Sequence, residues 1–152
     1  KEENLLERSI LFGTDINQDA LQDAKKGIFP LKEMKSYTQN YQKSGGTSSF
    51  SDYYTAAYDY AKYEDFLKEK MVYSVHNLVS DHSFNEFNLI MCRNVLIYFS
   101  KELQNRVIGL CAESLCTFGY LCLGSKESLM FSEHLNRFEE VDRKHKIYRK
   151  IK

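Results

Sequence analysis

Short apolar runs alternate with amphipathic segments along this chain, and the alternation predicts a series of strands and helices. Four runs have the length and the apolar content of buried β-strands: residues 9–15, 71–77, 87–92 and 120–125. Two segments, 16–27 and 101–115, repeat apolar residues at helical spacing. Strands that alternate with helices in this way indicate an α/β domain with a mostly parallel sheet.

The ends of the predicted helices carry local signals. Asn17 is suited to cap the first helix, and Gly27 is suited to end it. Ser100 is placed to cap the second helix, whose apolar stripe comprises Leu103, Val107, Leu110, Cys111 and Leu115. Near the C-terminus, residues 137–142 and 146–151 have the composition of two short strands joined by a charged turn, which predicts an antiparallel hairpin.

The insert formed by residues 31–70 is harder to assign. Residues 36–52 are polar and rich in glycine and serine, so we predict a flexible loop there. The tyrosine-rich segment that follows, residues 53–70, does not show the pattern of three short strands or a clear helical register. We treat 31–70 as a candidate small subdomain within one domain that spans residues 1–152.

Charge and composition argue against several kinds of function. The 21 basic residues balance 21 acidic ones, which argues against a nucleic-acid binder held by phosphate contacts. No apolar run approaches the roughly 20 residues of a membrane span, and no signal peptide is recognisable. The four cysteines form no CxxC pair and predict buried thiols rather than a metal site. These features predict a soluble cytoplasmic protein without metal, nucleic acid or membrane insertion.

Polar residues follow the predicted strands, at the edge where open parallel sheets bind their ligands. Asp15 ends the first strand; its carboxylate suits the two hydroxyls of a ribose, although an acid beside a helix N-terminus is also ordinary. Asn77 ends the second strand; its amide suits an adenine edge, or it closes the strand as a turn residue. His76 and His82 are more typical of turn or surface residues than of ligands.

The segment FNLIMCRNVLIYFS, residues 87–100, places Arg93 and Asn94 between two apolar runs. A buried arginine is costly unless it is paired or faces a cleft. One interpretation is a fixed guanidinium that recognises an anion through paired hydrogen bonds, and the other is a structural ion pair at a helix end. The seven glycines form no GxGxxG turn, so a nucleotide site built on Asp15 alone would be incomplete.

Three segments are informative together: GTDINQDALQDAKKGIF, YSVHNLVSD, and FNLIMCRNVLIYFS with the helix and the GYLCLGSKESL that follow it. They resemble the C-terminal catalytic domain of the CheR family, the chemotaxis receptor glutamate methyltransferases that use S-adenosylmethionine. The similarity extends from about residue 9 to the C-terminus, and CRNVLIYF is specific to this family. It implies a Rossmann-like class I methyltransferase sheet, mostly parallel, with a C-terminal antiparallel hairpin.

The resemblance assigns the cofactor side of the site. Asp15 would contact the ribose of S-adenosylmethionine, and Asn77 with Leu78 would hold the adenine side. Arg93 and Asn94 would border both the cofactor and the substrate carboxylate.

The substrate side follows from the same resemblance. Arg93 would hold the substrate glutamate, and Tyr98 would line the active site beside the methyl group. No metal is required. The partner would be the cytoplasmic helices of a chemoreceptor or a related signalling protein, and family members carry a small receptor-docking subdomain near residues 31–70.

Two parts of the family pattern are not found in this chain. One is the glycine-containing first motif, whose strand lies centrally between the strands that end at Asp15 and Arg93, and the other is the N-terminal helical domain. We therefore expect a partial catalytic domain with weak or absent cofactor binding and activity of its own. The alternatives are a non-catalytic module that binds a signalling partner and a nicotinamide-dependent oxidoreductase.

Overall fold

The computed structural model describes residues 2–152 and divides the chain into two units, with the boundary between His76 and Asn77. The first unit contains, in order, β1 (Leu11–Asp15), α1 (Gln18–Lys26), β2 (Ile28–Pro30), α2 (Met34–Lys43), β3 (Tyr54–Ala57), β4 (Tyr60–Tyr63), α3 (Asp65–Lys68) and β5 (Met71–Val75). The second unit contains β6 (Phe87–Cys92), α4 (Lys101–Ser114), β7 (Leu115–Leu123), β8 (Phe138–Asp142) and β9 (Ile147–Lys150).

In the first unit, the apolar pattern predicted both strands of the parallel pair β1–β5 and the helix α1 between them in sequence. The pairing is in register from Leu11 opposite Met71 to Asp15 opposite Val75. The predicted signals of α1 are confirmed: the side chain of Asn17 accepts hydrogen bonds from the first turn, and the helix ends at Gly27 with φ of +65°. A residue without Cβ adopts this left-handed conformation at little cost, which is why the helix stops there.

The predicted loop over residues 36–52 is wrong in its first half, because residues 34–43 form α2. The buried and half-buried residues of α2 are spaced at i, i+3, i+4 and i+7: Met34, Tyr37, Thr38 and Tyr41. Tyr41 packs on Phe50 and Tyr53, with ring centroids 5.4 and 5.8 Å away. The sequence hides this face because tyrosine and threonine count as polar, and the rings that cover it come from later in the chain.

Two strands of the insert, β3 and β4, join β2 in a small antiparallel sheet with strand order β2-β4-β3. Its register places Ala56 opposite Ala61 and Phe29 opposite Ala61 on the other side of β4. Ala61 is fully buried, and Tyr63 packs edge-on against Phe29 at a centroid distance of 5.4 Å. The tyrosine-rich segment, residues 53–70, therefore contributes two short strands, β3 and β4, which its sequence did not indicate.

The carboxylate of Glu2 fastens the start of the chain to the aromatic insert. Tyr53 Oη donates to Glu2 Oε1 at 2.8 Å, Thr47 N–H donates to Oε2 at 3.1 Å, and Tyr41 Oη also donates to Oε1. The hydrogen bonds from Tyr41, Thr47 and Tyr53 lower the pKa of Glu2 from 4.5 to about 2. Hydrogen bonding with Tyr41 and with Glu2 raises the pKa of Tyr53 to about 12.

We expect Glu2→Gln to remove a stabilisation of the first unit that depends on pH. A carboxylate whose folded-state pKa is depressed stabilises the fold above its unfolded pKa and loses that contribution as the pH falls through the folded value. The difference in unfolding free energy between wild type and Glu2→Gln should therefore shrink between pH 4.5 and pH 2. Urea titrations followed by tyrosine fluorescence measure it. Glu3→Gln, at the adjacent exposed carboxylate, is the control, and a pH-independent difference would contradict the prediction.

The second unit is built on a four-stranded sheet with strand order β6-β7-β9-β8. β6 and β7 are parallel, with Ile90 opposite Leu121, whereas β9 is antiparallel to both β7 and β8. This arrangement confirms the predicted C-terminal hairpin. α4 begins at Ser100, whose Oγ accepts from Leu103 N–H, and packs against the sheet. The core comprises Cys92, Leu96, Val107, Ile108, Cys111, Ala112, Leu115, Leu121, Leu123, Leu129, Phe138 and Tyr148.

β1 and β6 are edge strands of their sheets. Within residues 2–152, β1 pairs with β5 alone and β6 pairs with β7 alone. Both strands carry apolar side chains that are about half exposed, including Leu11, Leu89 and Met91.

Candidate functional site

The loop that leaves β6 carries three of the predicted site residues. Cys92 is buried at the end of the strand, whereas Arg93 and Asn94 are exposed. Asn94 has φ of +59°, a left-handed conformation that asparagine tolerates better than most residues. The chain then makes a short 3₁₀ turn, Leu96–Tyr98, before α4 begins.

The residues of the VLIYF run differ in burial. Leu96 is 3% exposed and belongs to the core of the second unit, and Val95 and Phe99 pack against that core. Ile97 and Tyr98 are exposed, with 80% of Tyr98 accessible. The apolar residues therefore anchor the loop, while the loop holds Arg93 and Tyr98 at the surface.

Arg93 lines a cleft of about 340 Å³ in the second unit. The other lining residues are Met91, Cys122, Ser125, Lys144, His145 and Ile147. Lys144 and His145 come from the turn between β8 and β9, and within residues 2–152 no acidic residue lines the cleft, although Asp142 Oδ2 lies 2.7 Å from His145 Nδ1. Burial raises the pKa of the Cys122 thiol, and the positive charge of Arg93 opposes part of that rise.

The guanidinium of Arg93 forms no ion pair with any of the residues 2–152. If Arg93 formed a structural ion pair at a helix end, it would need an acidic partner. The part of the chain that the structure describes contains no such partner for it. Its exposed position in a cleft leaves all five N–H donors available to an anion.

A buried carboxylate holds the Arg93 loop in place. Glu127 is 4% exposed, and its oxygens accept from four backbone N–H groups. Asn94 and Gly124 donate to Oε2 at 3.0 and 2.5 Å. Val95 and Leu96 donate to Oε1 at 2.8 and 2.7 Å. Glu127 thus ties the exit of β6 to the exit of β7.

A glutamine on α4 holds the opposite side of the same loop. Gln104 Nε2 donates to the carbonyl oxygens of Leu96 and Phe99, both at 3.0 Å. Neither Gln104 nor Glu127 belongs to the site residues that the sequence predicts. In the sequence, Glu127 is an acid in the short segment after Gly124. A surface glutamate is equally common there, so its sequence position does not indicate a buried role.

Asp15 lies at the exposed end of β1 in the first unit. Its Oδ1 accepts from the Asn17 N–H at 2.8 Å, and its carbonyl accepts from the His76 N–H at 3.1 Å. Oδ2 has no hydrogen-bond donor among residues 2–152. An exposed carboxylate with a free oxygen at a strand end fits the hydroxyls of a ribose.

Asn77 forms a turn at the start of the second unit. Its Oδ1 accepts from the Val79 N–H at 2.9 Å, and its own N–H donates to Asp81 Oδ2 at 2.8 Å. These bonds are those of a turn residue that follows a strand, and they leave the Nδ2 group of the amide for other contacts. Leu78 is half-buried and packs against the core of the second unit.

The structure brings Arg93, Asn94 and Tyr98 together on one loop, whereas Asp15 belongs to the other unit. Residues 2–152 contain no group of three or more His, Cys, Asp or Glu side chains that could hold a metal ion. In the same part of the chain, none of the helices combines the length and the apolar character needed to cross a membrane. All four cysteines are free thiols.

Comparison with known proteins finds one family and several relatives. Residues 2–147 match the family described as CheR methyltransferase, SAM binding domain. Cher3 of Pseudomonas putida, a protein named as a methyltransferase, is 47% identical over 150 residues, which are 99% of this chain and 55% of that protein. The chemotaxis protein methyltransferase of Listeria innocua is 28% identical over 132 residues, covering 83% of this chain and 47% of the relative.

The chain thus spans about half the length of these two relatives. Among solved structures, the N-methyltransferase NodS from Bradyrhizobium japonicum in complex with S-adenosyl-L-homocysteine has a TM-score of 0.43 and is 14% identical. That similarity covers 75% of this chain and 40% of NodS.

Proposed function

The chain belongs to the CheR methyltransferase family, and we propose that it forms the cofactor-binding part of an enzyme that methylates glutamate side chains of chemoreceptors. Its cofactor is S-adenosylmethionine. Relatives named as chemotaxis methyltransferases support a receptor as the partner. Because chemoreceptors present their signalling helices inside the cell, the proposal places the enzyme in the cytoplasm.

The observation that carries this proposal is the Arg93 guanidinium. It lines a cleft together with Lys144 and with His145, whose ring is bonded to Asp142, and it has no ion pair within residues 2–152. A cation that is left without a partner in such a cleft suits an anionic substrate. A side-chain carboxylate has the planar geometry that the two parallel N–H groups of arginine recognise.

The residues of the site fit the methylation of a carboxylate. A glutamate carboxylate has a pKa near 4.3 and is therefore ionised at pH 7, so no general base is needed to activate it. The reaction requires the carboxylate oxygen to be held in line with the carbon that it attacks. Arg93 would hold the anion, and the exposed hydroxyl of Tyr98 would orient it. Once the ester has formed, the charge is gone and Arg93 releases the product more readily.

The family resemblance assigns cofactor contacts to residues that end or follow β1, β5 and β6. Asp15 would accept from the ribose hydroxyls through its free oxygen, and Asn77 with Leu78 would border the adenine. Asn94 would lie between the cofactor and the substrate, beside Arg93. When bound, S-adenosylmethionine supplies an activated methyl group.

A base-lability assay tests the proposal. The complete gene product is incubated with S-adenosylmethionine labelled at the methyl group and with a cytoplasmic receptor fragment. We expect label in the fragment that mild base releases as volatile methanol, because a glutamyl ester hydrolyses whereas an N-methyl group does not. A receptor fragment in which the labelled glutamates are replaced by glutamine is the matched control and should accept no label.

Two results would overturn the proposed function. Base-stable label would identify a nitrogen or another atom as the acceptor. Binding of the receptor fragment without any transfer of label would instead support the non-catalytic alternative. Titration with S-adenosylhomocysteine and with a nicotinamide dinucleotide separates the methyltransferase from the oxidoreductase alternative, since only one of the two ligands should bind.

A further inference from the structure

Glu127 is a buried acid whose carboxylate binds the backbone of two loops. The four N–H groups that it accepts from belong to residues 94, 95, 96 and 124. Three of these residues immediately follow Arg93, and the fourth follows β7. A buried carboxylate is costly unless hydrogen bonds compensate its charge, and here the compensation comes from the backbone rather than from a cation.

The backbone that Glu127 binds has a conformation that needs support. Asn94 is left-handed, with φ of +59°, and the chain turns sharply there from β6 into the 3₁₀ turn. Residues in such sparsely populated conformations persist where the surroundings over-determine them. Glu127 Oε2 holds Asn94 N–H at 3.0 Å, and Oε1 holds the next two N–H groups. The direction in which the chain presents Arg93 therefore depends on this carboxylate.

Gln104 completes the support from the side of α4. Its amide donates to the carbonyls of Leu96 and Phe99, which enclose Tyr98 in the sequence. Two further bonds close the turn, from Tyr98 N–H to the Val95 carbonyl and from Phe99 N–H to the Leu96 carbonyl. Glu127 thus binds three N–H groups of the loop, and Gln104 binds two of its carbonyls.

We propose that Glu127 is a positioning residue for methyl transfer, which acts by fixing the loop that presents Arg93 and Tyr98, and that Gln104 assists it. Neither side chain contacts the reacting atoms in this role. The kinetic consequence rests on the proposed function, because it requires Arg93 to hold the substrate. The structural consequence, a loop held rigid by one carboxylate, does not require it.

The substitution Glu127→Gln tests the inference with little change in shape. An amide keeps one oxygen and replaces the other with a donor, so two N–H groups lose their acceptor whichever way the side chain is turned. In the complete gene product, kcat/KM per folded molecule should fall about 100-fold, since small displacements of a positioned group have effects of this size. Glu113→Gln, at an exposed position on α4, is the matched control and should retain wild-type activity.

A double-mutant cycle with Arg93→Ala separates positioning from a general loss of structure. If Glu127 acts through Arg93, Glu127→Gln should lower kcat/KM by less than about 5-fold once Arg93 is absent, because coupled residues are not additive. Equal losses in the two backgrounds would overturn the inference. If Glu127→Gln does not fold, Gln104→Ala takes its place in the cycle, with the same expected pattern and a smaller first loss.

Backbone hydrogen exchange keeps this test independent of the substrate. In Glu127→Gln, exchange of the amides at residues 94–96 should be at least about 10-fold faster, while exchange in β9 remains unchanged. Unchanged exchange at 94–96 would overturn the inference even if activity falls. If the wild type transfers no methyl group to glutamate, the proposed function fails, and the exchange result still decides whether Glu127 holds the loop.

Discussion

Replacement of Arg93 by alanine should lower kcat/KM for glutamate methylation by about 100-fold or more, with a change in unfolding free energy of less than about 1 kcal/mol. The activity estimate follows from two charge-assisted hydrogen bonds to the substrate, each worth roughly 1.5–3 kcal/mol, at about 1.4 kcal/mol per tenfold change. The stability estimate follows from the structure, because Arg93 is exposed and forms no ion pair within residues 2–152. Activity and urea denaturation are measured on the same preparation of the complete gene product.

Arg93→Lys sharpens this test. Lysine keeps the positive charge but cannot form two parallel hydrogen bonds with one carboxylate, so we expect a loss of roughly 10-fold in kcat/KM that lies between wild type and alanine. The control is Arg106→Ala, at an exposed arginine on α4 outside the cleft. Parallel losses of activity and stability in Arg93→Ala would return Arg93 to a structural role.

Much of the loss in kcat/KM of Arg93→Ala should appear as a higher KM. Because the substrate carboxylate carries its full charge before the reaction and loses it as the ester forms, Arg93 attracts the ground state at least as strongly as the transition state. Its contribution to kcat is then restricted to orientation. A variant that loses kcat alone, with unchanged KM, would indicate that Arg93 acts on the reacting atoms in another way.

We expect Gly124→Ala to have the second large effect, on stability and activity together. A Cβ at this position would lie 2.6 Å from Asn94 Oδ1, 2.6 Å from Glu127 Oε2 and 2.8 Å from Asn94 N. Real contacts of this kind are longer, so the neighbours must move. Glu127 is held by four N–H groups and the Asn94 nitrogen is backbone, which leaves little freedom to move.

Overpacking at such a site costs roughly 1–3 kcal/mol of unfolding free energy. Because the displaced atoms belong to the loop of Arg93, we also expect kcat/KM per folded molecule to fall by about 10-fold or more. Lys126→Ala, two residues along the same segment and exposed, is the control and should be close to wild type in both measurements. Wild-type activity of the folded Gly124→Ala protein would show that the loop tolerates the displacement.

The elements that the sequence predicted well are those whose determinants lie close together in the chain. Asn17 caps α1 by accepting from the N–H groups of Asp19 and Ala20, and Ser100 caps α4 by accepting from that of Leu103. The strands β6 and β7 have continuous apolar runs, and the β8–β9 hairpin has a short charged turn. The family resemblance depended on the same local segments, and the match over residues 2–147 confirms it.

The helix α2 shows where local patterns fail. Its segment has the composition of a loop, and a helix forms because aromatic rings from Phe50, Tyr53 and their neighbours cover one face of it. Burial of this face is a tertiary effect, and it outweighs the weak helical preference of the sequence.

The candidate site likewise has features that follow from local sequence and features that depend on distant contacts. The sequence alone determined that Arg93 and Asn94 stand at the exit of a strand, because an apolar run ends there and a second one begins. Contacts between distant parts of the chain, in contrast, leave Arg93 without an acidic partner within residues 2–152 and bind its loop to Glu127. Glu127 binds N–H groups 31 to 33 residues away, and the fold alone brings the exits of β6 and β7 together. Pairing at that distance leaves no periodic trace in a single sequence, because any acid in the segment after β7 produces the same local pattern.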